Sequence, residues 1–275
     1  MNYTIMLGEV KGDVDKKWQP DLKELFEAAF SYLNRVFKKS LKSPPSFRKE
    51  EIQGVFVEGA AAYLYYRQLK MLLFPLSVRI GLGEGKHYQI SSETFEGPAY
   101  FHAERALALA RAKDAGAVYV SFRKTDKYLN AILLASEHLE RRQSLGGNLV
   151  RLFSEIYFPL YKKNAMEFSE YGEEKNLLKA LRLKEKFFEI LLENKRPFPE
   201  FMLPKLSECK LIDLEALYAR EKEELVSCFW ERGFCTKIAA SLKMSRQNVS
   251  KHLDSGIIFQ RNLEGSAALF LTERK

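Results

Sequence analysis

The feature that most restricts this chain is a change of hydrophobic period near residue 125. Before it, two-residue apolar alternation is interleaved with helix-like runs; after it the alternation stops. Residues 2–10 read as a first strand. Asp21 to Lys39 sets Leu22, Leu25, Phe26, Ala29, Phe30, Leu33 and Phe37 on one helical face, and Pro44-Pro45 stops it. Ser46 to Glu58 reads as two strands around a polar tip, Arg48-Lys49-Glu50-Glu51. A helix from Ala60 to Leu73, a strand around Val78, a helix from Pro98 to Lys113 and a strand from Ala117 to Phe122 complete the run. The order β-α-β-β-α-β-α-β predicts an α+β sheet domain over residues 1–125.

Beyond that point the sequence reads as helix. Asp126 to Gln143 is amphipathic, Gly146-Gly147 is a break, and Asn148 to Asn194 carries no strand signal. Pro197, Pro199 and Pro204 read as a linker, so residues 126–218 form a helical connecting region and 219–275 a terminal unit. With 46% hydrophobic residues over 275, a packed core is available and wholesale disorder is excluded. The formal charge of +8 favours an anionic partner without choosing among nucleic acid, lipid and phosphorylated ligands. Three cysteines (Cys209, Cys228, Cys235) form no CxxC, the first residues read as a strand, and no apolar run approaches a bilayer span. These point to a cytoplasmic protein without membrane contact.

The most specific local signal is "CTKIAASLKMSRQNVSKHL", residues 235–253. Ile238, Ala239 and Leu242 give a short helix a buried face, and Lys243-Met244-Ser245 makes a turn. Ser245 is placed to cap a second helix anchored by Val249 and Leu253. The outward set is Ser245, Arg246, Gln247, Asn248, Ser250, Lys251 and His252, donors suited to phosphates and base edges. This reads as a helix-turn-helix, preceded by a helix from Ala219 to Trp230. It is followed by strand-like stretches, Gly256–Phe259 and Ala267–Leu271, that resemble a wing. From Phe229 to Lys275, eight basic residues face four acidic ones, the charge sign DNA requires. An amphipathic helix pair with a solvated face remains the plain alternative.

Two glycine motifs need a role. Gly81, Gly83 and Gly85 end a strand, and Gly97-Pro98 opens a helix; both suit a tight turn, and both also suit a phosphate cradle. The free N–H groups of Ala99 and Tyr100 could receive an anion. Arg105 and Arg111 read as a solvated face, and His87, His102 and His138 lack a metal-binding spacing.

Gly8-Glu9-Val10, Glu51-Ile52-Gln53-Gly54, Arg79-Ile80-Gly81-Leu82-Gly83-Glu84 and Glu96-Gly97-Pro98-Ala99-Tyr100 resemble motifs of the SatD family. That family also ends in a helix-turn-helix. The resemblance implies a ferredoxin-like, nucleotide-cyclase-palm-like domain, followed by a helical segment and the terminal helix pair. In cyclases of this fold, one carboxylate on the first strand and one in the hairpin hold two metal ions. The matching positions here are Glu9 and Glu50, each where the family pattern has Asp; Mg²⁺ is the implied cofactor if the site functions. Lys49 stands where the pattern has glycine, filling space that backbone would otherwise give to a ligand. The expected function is therefore a DNA-binding transcriptional regulator, dimeric on paired half-sites. Its cyclase-like domain would be degenerate, serving as a sensor for a nucleotide ligand at Glu9, Lys49, Glu50, Gly81, Gly83 and Gly97, or serving dimerisation. The alternative is a metal-dependent nucleotidyl cyclase or nucleotide-hydrolysing enzyme using Glu9 and Glu50. A third reading makes the terminal helices a protein-interaction module.

Overall fold

Strand β1 (Tyr3–Lys11) sends successive side chains to opposite layers, as a two-residue period requires. Met6 enters a large apolar core, whereas Ile5 packs with Ala99 and Ala103 on the other face. The computed structural model describes residues 2–11, 19–48, 51–86, 88–89, 95–167, 169, 174–191, 198–219, 229–230 and 232–273. The first half runs β1, α1 (Gln19–Val36), β2 (Leu41–Arg48), β3 (Glu51–Phe56), α2 (Gly59–Leu73) and β4 (Ser77–Gly85). A two-residue ladder, β5 (Tyr88–Gln89) with β6 (Phe95–Glu96), leads to α3 (Pro98–Ala112) and β7 (Ala117–Val120). The sheet order is β2-β3-β1-β4-β7. Neighbours are antiparallel except β4 and β7, which are parallel, with Ile80 opposite Ala117. Helices α1 and α2 cover one face and α3 the other.

The exposed edge of β7 is closed by one side chain. Asn130 accepts from the Tyr119 N–H and donates to the Tyr119 carbonyl, both at 2.8 Å, taking the place of a further strand.

The second half runs α4 (Asp126–Glu140), α5 (Leu145–Tyr157), β8 (Leu160–Tyr161), α6 (Glu174–Leu191), β9 (Ile212–Asp213) and α7 (Leu214–Tyr218). It ends with α8 (Phe234–Ser241), α9 (Arg246–His252) and α10 (Ile258–Glu273). The fold is mixed α+β, as the alternating periods imply. Two expectations are corrected. The stretch read as strand-free contains β8, whose Leu160 and Tyr161 pair in parallel with Ile212 and Asp213 of β9. The strand-like tail is the helix α10, so a strand wing over Gly256–Phe259 and Ala267–Leu271 is ruled out. The helix expected from Ala219 to Trp230 lies outside the described residues over 220–228. Of the three prolines read as a linker, Pro197 lies outside them. Beside Pro199 and Pro204, Phe198 and Phe201 pack on each other and on Phe188 and Phe153.

Helix α10 belongs to the centre. Nearly every residue of α2 is buried, so Arg67 has no water to turn to and needs partners inside. Its Nη1 lies 2.6 Å from Glu155 of α5 and its Nε 2.5 Å from Glu264 of α10. Arg151 of α5 bridges Glu140 of α4 at 2.8 Å and also holds Glu264. Arg261 of α10 reaches Glu155 at 2.8 Å and donates to the Phe229 carbonyl at 2.9 Å. Lys70 completes the set on Glu140. Sheet-covering helix and terminal helix are thus joined by buried charges, ion-paired and in part hydrogen-bonded, within one apolar core running from Met6 to Leu271.

Candidate functional site

Two places bring together the residues singled out by the sequence. The first is the end of the sheet where β1 finishes. Glu9 stands opposite Glu51 of β3 and Arg79 of β4. Its carboxylate is already engaged: Arg79 Nη1 donates to Oε1 at 3.0 Å, and Arg111 of α3 donates through Nε and Nη2 at 3.0 and 2.5 Å to Oε2. Hydrogen bonds from Arg111, with Arg79 adding to them, hold the carboxyl below its ordinary range. Arg111 stays exposed, as expected of a solvated face, and in addition partners the sheet through Glu9. Lys49 and Glu50 lie outside the described residues.

A divalent metal does not fit Glu9 as the structure builds it. Both carboxylate oxygens face guanidinium groups, which repel a second cation. Among the described residues no group of three or more His, Cys, Asp or Glu is placed to hold a metal. His102 Nδ1 instead sits 2.6 Å from the Glu84 carbonyl, and His138 lies against Arg142.

The glycines have a packing role. A Cβ on Gly83 would come 2.1 Å from Ala103 N and 2.4 Å from the Ala99 carbonyl. One on Gly81 would come 2.4 Å from Leu107 N and from the Ala103 carbonyl. Both glycines let the backbone of α3 lie directly on β4. Gly97 has φ 106°, a left-handed conformation suited to glycine, and precedes α3. The N–H groups behind it are taken: Ala99 N donates to the Lys86 carbonyl at 3.0 Å and Tyr100 N to the Gly97 carbonyl at 3.0 Å. The anion site envisaged there is filled by the protein's own carbonyls.

The second place is the pair α8–α9. Leu242 N donates to Ile238 O, and Met244 N reaches back to Ala239 O at 3.0 Å, with Lys243 left-handed at φ 48° between them. This closes α8 with a glycine-type turn built on a lysine. The Ser245 hydroxyl accepts from Asn248 N at 3.1 Å and caps α9. Ile238, Leu242, Val249 and Leu253 are buried. Ser245, Arg246, Gln247, Asn248 and Lys251 are exposed.

Two members of the outward set face differently. Ser250 is half-buried and donates to Asp254 Oδ2 at 3.3 Å. His252 packs against Gly146, where a Cβ would stand 2.8 Å from its Nε2; burial, with Lys251 nearby, lowers its pKa. Arg261 and Glu264 are buried in the central ion network, so neither adds to the surface charge counted for this region.

The helix packed against this pair is α5, from far earlier in the chain. Tyr157 Oη and Ser241 Oγ lie 2.6 Å apart, and Phe158 stacks on Phe234 with ring centroids 3.9 Å apart. Sequence reasoning missed this support, along with the pairing of Arg79 and Arg111 to Glu9; each depends on contacts between distant residues that no local pattern carries.

Among the described residues no helix is long and apolar enough to cross a membrane. Compared with known proteins, the chain matches the model of the SatD family over residues 3–200, a segment that ends before α8 and α9. No curated protein and no solved structure matches it. The matched segment spans the whole sheet, α4, α5 and α6, well over half of the 275 residues, and the chain belongs to the SatD family.

Proposed function

We propose that this protein binds duplex DNA through α9 and acts as a transcriptional regulator, with α8–α9 as its helix-turn-helix. The observation that carries the reading is the two-sided character of α9. Val249 and Leu253 fix it to the core, while Ser245-capped backbone presents Arg246, Gln247, Asn248 and Lys251 to solvent. Such donors on one helix face suit base edges and phosphates of the major groove. Without a strand wing, α10 takes the structural place after the second helix.

The β1–β4 unit then acts as a ferredoxin-like, cyclase-palm-like scaffold. Its strand order and antiparallel pairing, with two helices on one face, support that description. The guanidinium pair on Glu9 supports a scaffold in place of a two-metal catalyst. A second copy of the chain would place two α9 helices on paired half-sites.

The test is binding of the full chain to pooled random duplexes over a salt series. Enrichment of a repeated sequence with affinity falling steeply in salt supports the reading. Arg246→Ala and Lys251→Ala should each weaken the enriched duplex by about 1–3 kcal/mol while leaving the thermal midpoint in place. Unchanged affinity in both variants refutes the assignment of α9.

A further inference from the structure

We infer that the surface around Phe101 and Phe122 binds single-stranded nucleic acid, independently of α9. Among the described residues, few large apolar side chains are strongly exposed, and three aromatic ones fall within residues 101–128: Phe101 at 59%, Phe122 at 67% and Tyr128 at 57%. Phe101 and Phe122 flank the ring of His102, with centroids 6.3 and 4.7 Å from it. The hydrogen-bonding contact of His102 with the Glu84 carbonyl fixes the ring that both phenylalanines touch.

Phe122 is costly to the fold twice over. Its φ of 56° is left-handed, a conformation that bulky residues rarely adopt. The ring is 67% exposed, and its contact with His102 covers only part of it. An exposed ring held at a strained position is what a contact with another molecule requires.

The charges around the rings select the partner. Arg105 lies four residues after Phe101 on α3, and Arg123, Lys124 and Lys127 follow Phe122; all four are exposed. The neighbouring carboxylates are mostly occupied. Asp126 accepts from the Ser121 N–H and hydroxyl, both at 2.7 Å, Glu84 is held by Tyr119 and by Arg123 at 2.9 Å, and the exposed Glu104 meets Tyr100; with Arg123 so engaged, Arg105, Lys124 and Lys127 carry the positive charge of the surface. Exposed aromatic rings beside cations suit a partner with flat faces and a negative backbone. Unpaired bases stack on such rings while phosphates meet the lysines. A duplex keeps its base faces hidden, so it cannot use this surface as α9 would use the groove.

The test is fluorescence anisotropy of the full chain with labelled oligothymidine of about 15 nucleotides, a length that spans a stacking site. Phe101→Ala and Phe122→Asn should each weaken oligothymidine binding about tenfold. Asparagine accepts the left-handed backbone, so Phe122→Asn should keep or raise the thermal midpoint, which separates lost binding from lost folding. Lys124→Ala with Lys127→Ala should lower affinity and flatten the salt dependence. Arg246→Ala with Lys251→Ala should leave oligothymidine binding intact, so the two surfaces succeed or fail separately. The inference is overturned if oligothymidine does not bind at low salt, or binds both phenylalanine variants as tightly as the unaltered chain. It is equally overturned if a duplex displaces the oligomer and the Arg246/Lys251 variant loses both.

Discussion

Replacing Gly83 with alanine measures whether the glycine motif on β4 serves packing. The new Cβ would stand 2.1 Å from Ala103 N, 2.4 Å from the Ala99 carbonyl and 2.6 Å from the His102 carbonyl carbon. All three are backbone atoms of α3, so no side chain can rotate away. Reaching ordinary contact near 3.5 Å requires α3 to retreat from β4 by more than about 1 Å. That retreat loosens Ala99 and Ala103 from Ile5 and Val55, a gap that forfeits a quarter to a half of each contact. Overpacking of this kind costs about 1–3 kcal/mol, and two rigid backbones put it at the upper end. Alanine returns about 0.4–1 kcal/mol by restricting the unfolded chain. The expected net loss is about 2 kcal/mol, a large part of a typical domain's stability. Urea unfolding followed by circular dichroism reads it as a lower midpoint at unchanged slope. Gly85→Ala is the internal control. Its nearest neighbours, Ala99 N at 3.0 Å and Pro98 Cβ at 3.2 Å, need yield only slightly, so its cost stays below about 1 kcal/mol. The packing argument fails if Gly83→Ala stays within about 0.5 kcal/mol of the parent, or if both alanines cost the same.

Two further outcomes follow from residues already described. Lys243→Gly should relieve about 1–2 kcal/mol of left-handed strain at φ 48° and lose about 0.4–1 kcal/mol to the freer unfolded chain, a net gain of up to about 1 kcal/mol; a lower urea midpoint counts against the turn. Its exposed ion pair with Glu200 is lost in the exchange. Burial alone would raise the pKa of Glu264, yet Arg151 and Arg67 bring it from 4.5 down to about 2. The stability this group contributes is therefore complete above about pH 4.5 and is lost as pH falls from there towards 2. Glu264→Gln should cost about 3–5 kcal/mol at neutral pH and remove that part of the acid dependence, which unfolding curves at several pH values would show.

The sheet and its helices were readable because their apolar spacing is local. Leu22, Leu25, Phe26, Phe30 and Leu33 lie on one face of α1, and β1, β4 and β7 carry dense apolar runs. Helix α10 was not readable, for a physical reason. The face it buries carries Gln260, Arg261 and Glu264, so the expected 3.6-residue apolar stripe is broken by polar groups. What remained visible were the short apolar runs at Ile257–Phe259 and Ala267–Leu271, which resemble strands. The same long reach hid the site. Glu9 meets Arg111 across 102 positions, and only the folded sheet brings them together. Ser245 as a cap and Val249 as an anchor were readable because capping and helix faces are decided within four residues.

The pairing of Arg67 with Glu264 also bears on how the chain is made. These partners are 197 positions apart, and a ribosome delivers the first long before the second. Through that interval α2 carries an arginine whose carboxylates have not yet been synthesised, so the face it will bury must stay wet. The sheet can form early, but the part of α2 that carries Arg67 is covered only when α5 and α10 arrive. Slow elongation should therefore prolong an open, apolar intermediate, and nascent chains stalled before α10 should be the ones that chaperones hold.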